Sequence, residues 1–347
     1  MPGQAKRSEL FIKDFIPRVS RTFALAIRFL PRGLRFSVYM SYLLCRVADT
    51  LEDSPHLETE ERRRRLLRLS SILRKASGGD GISPVEVASL YESIDSDAGE
   101  DHRLLVESSR LFEILESLPD AHRPIIYRRA AEMAGGMAEF ANLSYLDNDT
   151  IGALPNLKEW DRYCYYVAGT VGFMLTELFI VHYRFSADRA AEMTRHGNSF
   201  GLGLQKVNVL KDVPDDRQRG ACYLPLDAMI RHGLKPSLLK DPYKYPGANG
   251  LVSELSANTL VHLDDAITYT TLIPQGYRGV RMFLLVSVFL AAATMKLILE
   301  NPYQCLAGPP VKISRNDVAR LIAAAAGRVS SNRSIREYYD ILRPKVR

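Results

Sequence analysis

Three acidic residues early in the chain, Asp49, Glu52 and Asp53, have a spacing that suits metal binding. In a helix, residues three and four positions apart lie on the same face, one turn from each other. Carboxylates gathered in this way repel one another unless a cation neutralises them. Mg²⁺ is the natural cation, because it binds carboxylate oxygens and shares its remaining coordination positions with substrate phosphates. The cluster therefore predicts a site for a magnesium–diphosphate complex.

Two further side chains share the face of this first acidic cluster. Tyr42 and Arg46 lie seven and three positions before Asp49, the spacing of successive turns on one helix face. The residues between them are mostly apolar, so the acids end an apolar helix. Arg46 could contact a diphosphate, or it could pair with Asp49 or Glu52 along the helix, a structural role worth only about 0.2–0.5 kcal/mol.

A second acidic cluster, Asp212, Asp215 and Asp216, follows another largely apolar stretch. It is flanked by polar and basic residues that could bind phosphate oxygens or metal. These are Gln205, Asn208, Lys211, Arg217 and Arg219. Pro214 lies inside the cluster, and proline removes a backbone donor and disfavours helical geometry in the preceding residue. The helix is therefore expected to end or bend near Asp212, which makes Asp215 a weaker ligand candidate than its two neighbours.

The two clusters together favour a chemistry that neither indicates alone. A single acidic cluster of this kind is usually a solvated helix face. Two of them, each ending an apolar helix, are expected to oppose one another across a helical bundle and to hold diphosphates through metal ions. The surrounding apolar faces would line a tunnel for hydrocarbon. This suits ionisation of an allylic diphosphate, because metal ions stabilise the departing diphosphate while a dry pocket shields the carbocation.

Helical periodicity recurs along the chain, and patterns typical of strands are nearly absent. The predicted helices cover residues 8–16, 20–30, 33–53, 59–76, 83–95, 101–117, 121–143, 157–184, 187–213, 225–232, 250–272, 277–300 and 315–343. Since no long polar linker separates two cores, the sequence predicts one all-α domain over residues 1–347, with a core from about 8 to 343. Its most apolar helices belong in the middle of a bundle.

Composition and charge narrow the classes of function. The chain has 347 residues, 46% hydrophobic and 25% charged, with a net charge of +6. This is typical of a globular protein with a large core. A nucleic-acid partner is not expected, because no long basic run is interleaved with aromatic residues. The four cysteines form no CxxC pair, which disfavours a zinc site or a disulfide framework.

A membrane anchor is also not expected. The longest apolar run, residues 282–295, has 14 residues, fewer than the roughly 20 that cross a bilayer. Charges throughout residues 1–18 argue against a secretory leader. The sequence thus predicts a cytoplasmic protein without a transmembrane anchor. It leaves peripheral membrane contact open and gives no indication of the oligomeric state.

Several segments resemble the squalene/phytoene synthase family, the head-to-head trans-isoprenyl diphosphate synthases. The resemblance extends over residues 20–312. The segments that carry it are residues 20–23 (SRTF), 42–53 (YLLCRVADTLED), 136–140 (GMAEF), 159–172 (EWDRYCYYVAGTVG) and 203–212 (GLQKVNVLKD). The last two are more similar to squalene synthases than to phytoene synthases. The resemblance implies a single all-α bundle around a large central cavity.

The resemblance also implies roles for residues at matching positions. One magnesium–diphosphate complex, with the first farnesyl diphosphate, would be held by Asp49, Glu52 and Asp53. The second complex would be held by Asn208, Asp212 and Asp216. The residues expected to contact substrate are Ser20, Arg21, Phe23, Tyr42, Arg46, Gln205, Asn208, Lys211, Arg219 and Phe283. Tyr166 would line the reaction centre, where its hydroxyl or ring assists proton removal or stabilises cations.

Squalene synthases perform two half-reactions, and the motifs support the first more firmly. The first joins two farnesyl diphosphates into presqualene diphosphate, and the second reduces this intermediate with NADPH. Lys312 and Arg315 match the family segment that contacts NADPH, although Ser314 stands where another basic residue is expected. A lysine expected near Glu100 and Asp101 for the cofactor phosphate is missing.

The leading prediction is therefore a squalene synthase-like prenyltransferase that uses Mg²⁺ and NADPH, and the alternatives stay open. Without reduction, the enzyme would be a dehydrosqualene, presqualene diphosphate or phytoene synthase. A terpene cyclase would also bind diphosphate through metal ions in a helical fold. Cyclases, however, tend towards an N-D-x-x-S-x-x-x-E pattern that the second cluster of this chain lacks. A non-catalytic helical assembly factor would be expected to have lost acids from one cluster, whereas this chain keeps both.

Overall fold

A long helix of mostly buried residues lies at the centre of the first part of the chain. The computed structural model describes residues 10–12, 14–15, 22–54, 57–92, 94, 99–141 and 152–346. Within it the chain divides into two compact units. Unit 1 contains residues Met1–Asn142 and Phe173–Ala190, and unit 2 contains Leu143–Gly172 and Ala191–Arg347. The prediction of a single domain over the whole chain stays a prediction.

Unit 1 is built from helices. In chain order they are α1 (Thr22–Ile27), α2 (Arg32–Asp53), α3 (Thr59–Ser77), α4 (Pro84–Ala88), α5 (Glu100–Val106), α6 (Ser108–Leu115) and α7 (Arg123–Phe140). Helix α2 contacts α1, α3, α5, α6 and α7, so it is the central helix of the unit. It ends at Asp53, and Ser54 is extended, as expected for a residue that precedes a proline.

Unit 2 is also helical, apart from one small sheet. Its elements are β1 (Gly152–Leu154), α8 (Leu157–Cys164), a π-helical turn (Tyr165–Gly169), α9 (Thr170–Tyr183), α10 (Ala187–Lys211), α11 (Val213–Gln218), β2 (Ala221–Pro225), α12 (Leu226–Arg231), two 3₁₀ turns (Pro236–Lys240 and Pro242–Lys244), α13 (Gly247–Leu272), α14 (Arg278–Glu300), α15 (Pro302–Ala307), α16 (Arg315–Arg328) and α17 (Asn332–Leu342). Helices α9 and α10 contribute residues to both units: most of α9 belongs to unit 1, and most of α10 belongs to unit 2. The two strands pair in parallel.

Helix α14 forms the core of unit 2 and packs against α13, α15, α16 and α17. Residues 282–292 are all buried, so the apolar run in the sequence is a core helix of this unit. By length and composition, Arg278–Glu300 and Leu157–Tyr183 could each cross a membrane, but 72% and 50% of their apolar windows are buried inside the protein. Burial of this extent is what a core helix shows as well.

The all-α fold is confirmed, and several boundaries differ from those predicted. The predicted helix over residues 83–95 is only the short α4, and 101–117 is divided between α5 and α6 at Glu107. The sheet and helices α11 and α15 were not predicted. The predicted helix over 315–343 breaks between α16 and α17, where the buried Arg281 donates to the Val329 carbonyl (2.5 Å) and to the Asn332 side chain (2.7 Å).

Candidate active site

The first acidic cluster lies in the last two turns of α2. Asp49 and Asp53 are half-buried, and Glu52 is buried with 8% of its surface exposed. The Arg62 guanidinium donates to the Glu52 backbone carbonyl (3.2 Å), which fixes α3 against the end of α2. Acidic side chains at a helix C-terminus oppose the helix dipole, and the last turn of α2 has no basic residue. A bound cation would relieve this unfavourable arrangement, so the cluster fits a metal.

Arg46 makes two ion pairs, and only one of them was anticipated. Its pairing with Asp49 along the helix is confirmed, with 3.6 Å between Nη1 and Oδ2. The closer partner is Asp101 on α5, whose carboxylate accepts from Arg46 Nε (2.9 Å) and Nη2 (2.6 Å). Such a two-point contact between guanidinium and carboxylate fixes the orientation of the arginine as well as its position.

Burial raises the pKa of Asp49 to about 7, with Arg46 opposing the rise and the nearby Asp53 and Asp101 adding to it. The carboxyl is thus poised to exchange a proton for a metal near neutral pH. Metal binding requires the carboxylate form, so it releases a proton whenever the acid is protonated beforehand.

The pH dependence of metal binding follows from this pKa. We expect the apparent dissociation constant for Mn²⁺ or Mg²⁺ at the first cluster to be nearly constant above about pH 7 and to rise about tenfold per pH unit below it. Calorimetric titrations across this pH range measure the effect, and an Asp49→Ala protein should have lost it. An affinity that does not change between about pH 6 and pH 8 would show that the Asp49 carboxyl does not compete for protons with the metal.

The second acidic cluster lies at a break between two helices, as Pro214 predicts. Helix α10 ends at Lys211, and Asp212 precedes α11, which has Pro214 in its first turn. The Asp216 side chain is buried and pairs with Arg219 at 2.5 Å. Burial raises the pKa of Asp212, and Lys211 partly offsets the rise.

Lys211 connects the two candidate ligands of the second cluster. Its Nζ lies 3.2 Å from Asp212 Oδ2 and donates to Asn208 Oδ1 at 3.3 Å. The Lys211 ammonium thus lies near the oxygens of both candidate metal ligands, Asn208 and Asp212. Lys211 and Arg219, which were predicted to contact phosphate, both contact acids of the cluster here, and a diphosphate would compete for these same donors.

The described residues contain no group of three or more His, Cys, Asp or Glu side chains placed to hold a metal ion alone. This matches the ordinary behaviour of Mg²⁺, which binds through one or two carboxylates and completes its shell with water and substrate phosphates. The acids present fit an ion shared with a diphosphate rather than an ion enclosed by protein.

Tyr166 lies in the π-helical turn between α8 and α9. Turns of this kind are uncommon and occur frequently at functional sites. The Tyr166 side chain is half-buried, with the Arg162 guanidinium 5.6 Å from its ring centre and the Tyr165 ring edge-on at 5.3 Å. Since Arg162 already interacts with the ring, the hydroxyl is the better candidate for the predicted role in proton removal.

Glycines bring the π-helical turn into backbone contact with α10. A Cβ atom on Gly201 would collide with the Ala168 carbonyl, and one on Gly172 would collide with the Gly197 carbonyl. The two segments therefore pack backbone against backbone, which only glycine permits. Gly172 thus has a structural reason to stand in a segment that resembles the family, and the sequence alone did not reveal this role of Gly172 and Gly201.

The sequence patterns also gave no indication that Lys206 is buried. Lys206 is fully buried on α10, where its ammonium donates to Asp161 and Asn258 and lies 4.6 Å from the Trp160 ring centre. A buried cation is tolerated when it is paired and hydrogen-bonded in this way. Lys206 thus connects α10, the helix that leads to the second cluster, with α8 and α13.

The remaining candidates are placed as follows. Phe23 packs against Tyr42 with ring centres 5.6 Å apart, and Gln205 is half-buried on α10. Phe283 is fully buried in α14 and lies 6.4 Å from the Phe200 ring. Ser20 and Arg21 lie outside the described residues, and the substrate roles of all these residues stay predictions.

The two candidate NADPH residues flank the start of α16. Lys312 and Arg315 are both exposed. The Ser314 hydroxyl accepts from the backbone N–H of Asp317 (3.1 Å) and so caps the helix. A serine at the position where a second basic residue was expected thus has a structural role here.

An all-α protein with an acidic cluster at the end of each of two long helices falls in the structural class of the isoprenoid synthases. More specifically, the chain belongs to the squalene/phytoene synthase family, because the sequence profile of that family matches residues 16–317. It is 27% identical over 333 residues to the squalene synthase of Rattus norvegicus, a match that covers 96% of this chain and 73% of the rat protein.

Solved structures share the fold. A ligand complex of TcSQS has a TM-score of 0.79 and 24% identity, covering 96% of this chain and 91% of that one. A dehydrosqualene synthase in complex with a ligand has a TM-score of 0.66 and 22% identity, covering 95% of this chain and 99% of that one. The predicted family and the predicted class of enzyme, a prenyltransferase, are confirmed.

Proposed function

We propose that the protein joins two farnesyl diphosphates head to head into presqualene diphosphate and then reduces this intermediate with NADPH to squalene. The observation that carries the proposal is the pair of acidic clusters, each at the end of a long helix with many buried apolar residues. Two carbon–oxygen bonds break in the full reaction, and each releases a diphosphate. Two sites that bind diphosphate through metal would serve these two departures.

In the first half-reaction, one carbon–oxygen bond breaks and the departing diphosphate keeps the electron pair. Bound magnesium would supply the positive charge that stabilises this leaving group. Asp49 and Asp53 would hold metal at one site and Asp212 would hold metal at the other, while Arg46 and Lys211 would each add fixed positive charge beside the phosphates at their own cluster. The double bond of the second substrate attacks the resulting allylic cation.

A proton leaves the former C1 of one substrate as the cyclopropane ring closes. Tyr166 is our candidate for relaying that proton: its hydroxyl oxygen would accept it while the hydroxyl proton passes to the diphosphate released in the same half-reaction. Removal of the hydroxyl in a Tyr166→Phe protein would separate this role from packing.

NADPH would supply the hydride for the second half-reaction. Lys312 and Arg315 fit an anionic cofactor, because both are exposed and their charges lie at a helix N-terminus, which itself favours phosphate. The Glu100–Asp101 position fits less well, since Asp101 is an acid that pairs with Arg46. The reductive step therefore has less support than the condensation.

Product analysis tests the proposal directly. The purified protein is incubated with farnesyl diphosphate and Mg²⁺, with and without NADPH, and the extracted lipids are identified by mass spectrometry. We expect squalene with NADPH, and presqualene diphosphate or an unreduced C30 hydrocarbon without it. The absence of any C30 product under both conditions would refute the proposal.

The other outcomes identify the alternatives. A C30 product that does not depend on NADPH would make the protein a dehydrosqualene or presqualene diphosphate synthase. A C40 product from geranylgeranyl diphosphate would make it a phytoene synthase, and a cyclic C15 product would make it a terpene cyclase.

A further inference from the structure

Arg46 is held from outside its own helix by Asp101. The carboxylate of Asp101 takes the Nε and Nη2 donors of Arg46 at 2.9 and 2.6 Å, whereas Nη1 lies 3.6 Å from Asp49 Oδ2. The guanidinium therefore makes short hydrogen bonds to Asp101 and a longer ion pair with Asp49. Without Asp101, the three-position spacing on α2 would allow Arg46 to pair fully with Asp49.

We propose that Asp101 is a positioning residue that draws Arg46 away from Asp49 and so keeps the Asp49 carboxylate available to a metal ion. The inference deepens the proposed function and rests on it for the metal-binding role of Asp49. A cation that pairs fully with Asp49 would compete directly with the metal for the same oxygens. The two-point contact with Asp101 limits this competition to one ion pair of 3.6 Å and leaves Nη1 directed towards the acidic cluster, where it can meet a phosphate oxygen.

Asp101 is itself held in place by its own helix. Two leucines of α5, Leu104 and Leu105, are fully buried. Arg103 pairs with Asp14 at 2.5 Å and lies 5.0 Å from the Phe15 ring centre. The buried leucines share the helix face of Asp101, and Arg103 fixes a different face, so the short helix is held in place as a positioning residue requires.

The Arg46–Asp101 pair contributes little to folding. The two side chains retain 29% and 36% of their exposure, and ion pairs this exposed contribute about 0–1 kcal/mol. Loss of the pair should therefore shift the melting temperature by no more than about 2–4 °C. An effect on metal binding can consequently be separated from an effect on stability.

The test compares Asp101→Asn with Glu100→Gln. Glu100 precedes Asp101 on the same helix, and its carboxylate accepts from Arg103 at 3.3 Å, so the control removes the same charge one residue away. The dissociation constant for Mn²⁺ is measured by calorimetry in the presence of inorganic diphosphate, which requires no turnover. We expect Asp101→Asn to weaken Mn²⁺ binding about tenfold, and Glu100→Gln to leave it within about twofold.

A second comparison tests whether Asp101 acts through Arg46. In an Arg46→Gln background, where no guanidinium competes for Asp49, adding Asp101→Asn should cause no further change in Mn²⁺ affinity. Unchanged affinity in the single Asp101→Asn variant, or an equal loss in both backgrounds, would overturn the proposal. These results are independent of the product analysis, since the metal titration can succeed even if the protein makes no C30 product.

Discussion

Asp49→Ala and Asp212→Ala proteins are each expected to lose about 10³-fold or more in kcat, because each change removes charge that holds a metal on a departing diphosphate. The fold should survive both changes. Burial raises the pKa of both acids, so each costs the metal-free protein stability once it ionises. The metal-free alanine proteins should therefore melt at the same temperature as the original protein or higher, measured at a pH above 7 by calorimetry.

The sign of that stability effect can be checked through pH. The contribution of the Asp49 side chain to the free energy of unfolding is fully present below the pKa of about 4 that it has in the unfolded chain. This contribution is lost as the pH rises through the pKa of about 7 that Asp49 has in the folded protein. The gain in stability from Asp49→Ala should thus grow between about pH 4 and pH 7.

Asp215→Ala is the matched control for activity, since Asp215 follows Pro214 in the same cluster. It should retain activity within about tenfold, whereas an Asp212→Ala enzyme of normal activity would contradict the metal assignment.

Gly201→Ala is expected to destabilise the protein strongly. The added Cβ would collide with the Ala168 carbonyl and with the backbone of Gly169, neither of which is a flexible side-chain end. Forcing extra volume into a packed site typically costs about 1–3 kcal/mol and sometimes more. Because the collision lies in the π-helical turn, the change should also displace Tyr166 and lower kcat in protein that remains folded.

A matched control exists for this glycine. Gly327 lies within α16, and a Cβ there meets nothing within 4 Å. Gly327→Ala should therefore be neutral or stabilise the protein by up to about 1 kcal/mol, the difference in helix propensity. Urea unfolding compares the two. Equal stability of the Gly201→Ala and Gly327→Ala proteins would mean that the close contact between the turn and α10 is not maintained in solution.

The parts of the site that could be predicted depend on local sequence. The spacing of Asp49, Glu52 and Asp53 specifies a shared helix face, and α2 ends at Asp53 as predicted. Pro214 predicts the break after Lys211, since proline disrupts the helical turn that precedes it. Patterns of this kind extend over one or two turns, where helix geometry alone determines which side chains are neighbours.

The parts that could not be predicted depend on contacts between distant segments. Asp101 lies 55 positions after Arg46, and no spacing rule relates residues so far apart. The sequence does not distinguish Lys206 from a solvent-exposed lysine, because its partners lie on the distant helices α8 and α13. At the break in the predicted helix over residues 315–343, Arg281, on another helix, donates to the Val329 carbonyl. The partners of Arg46, Lys206 and Arg281 thus depend on tertiary structure, which helix propensity does not report.

The central claim is that each acidic cluster holds one diphosphate through metal ions. Its most direct test is calorimetric titration with a non-hydrolysable thio-analogue of farnesyl diphosphate in the presence of Mg²⁺. We predict two bound analogues per chain for the original protein, and one for either Asp49→Ala or Asp212→Ala. A single analogue bound to the original protein, or two still bound after both aspartates are replaced, would contradict the claim.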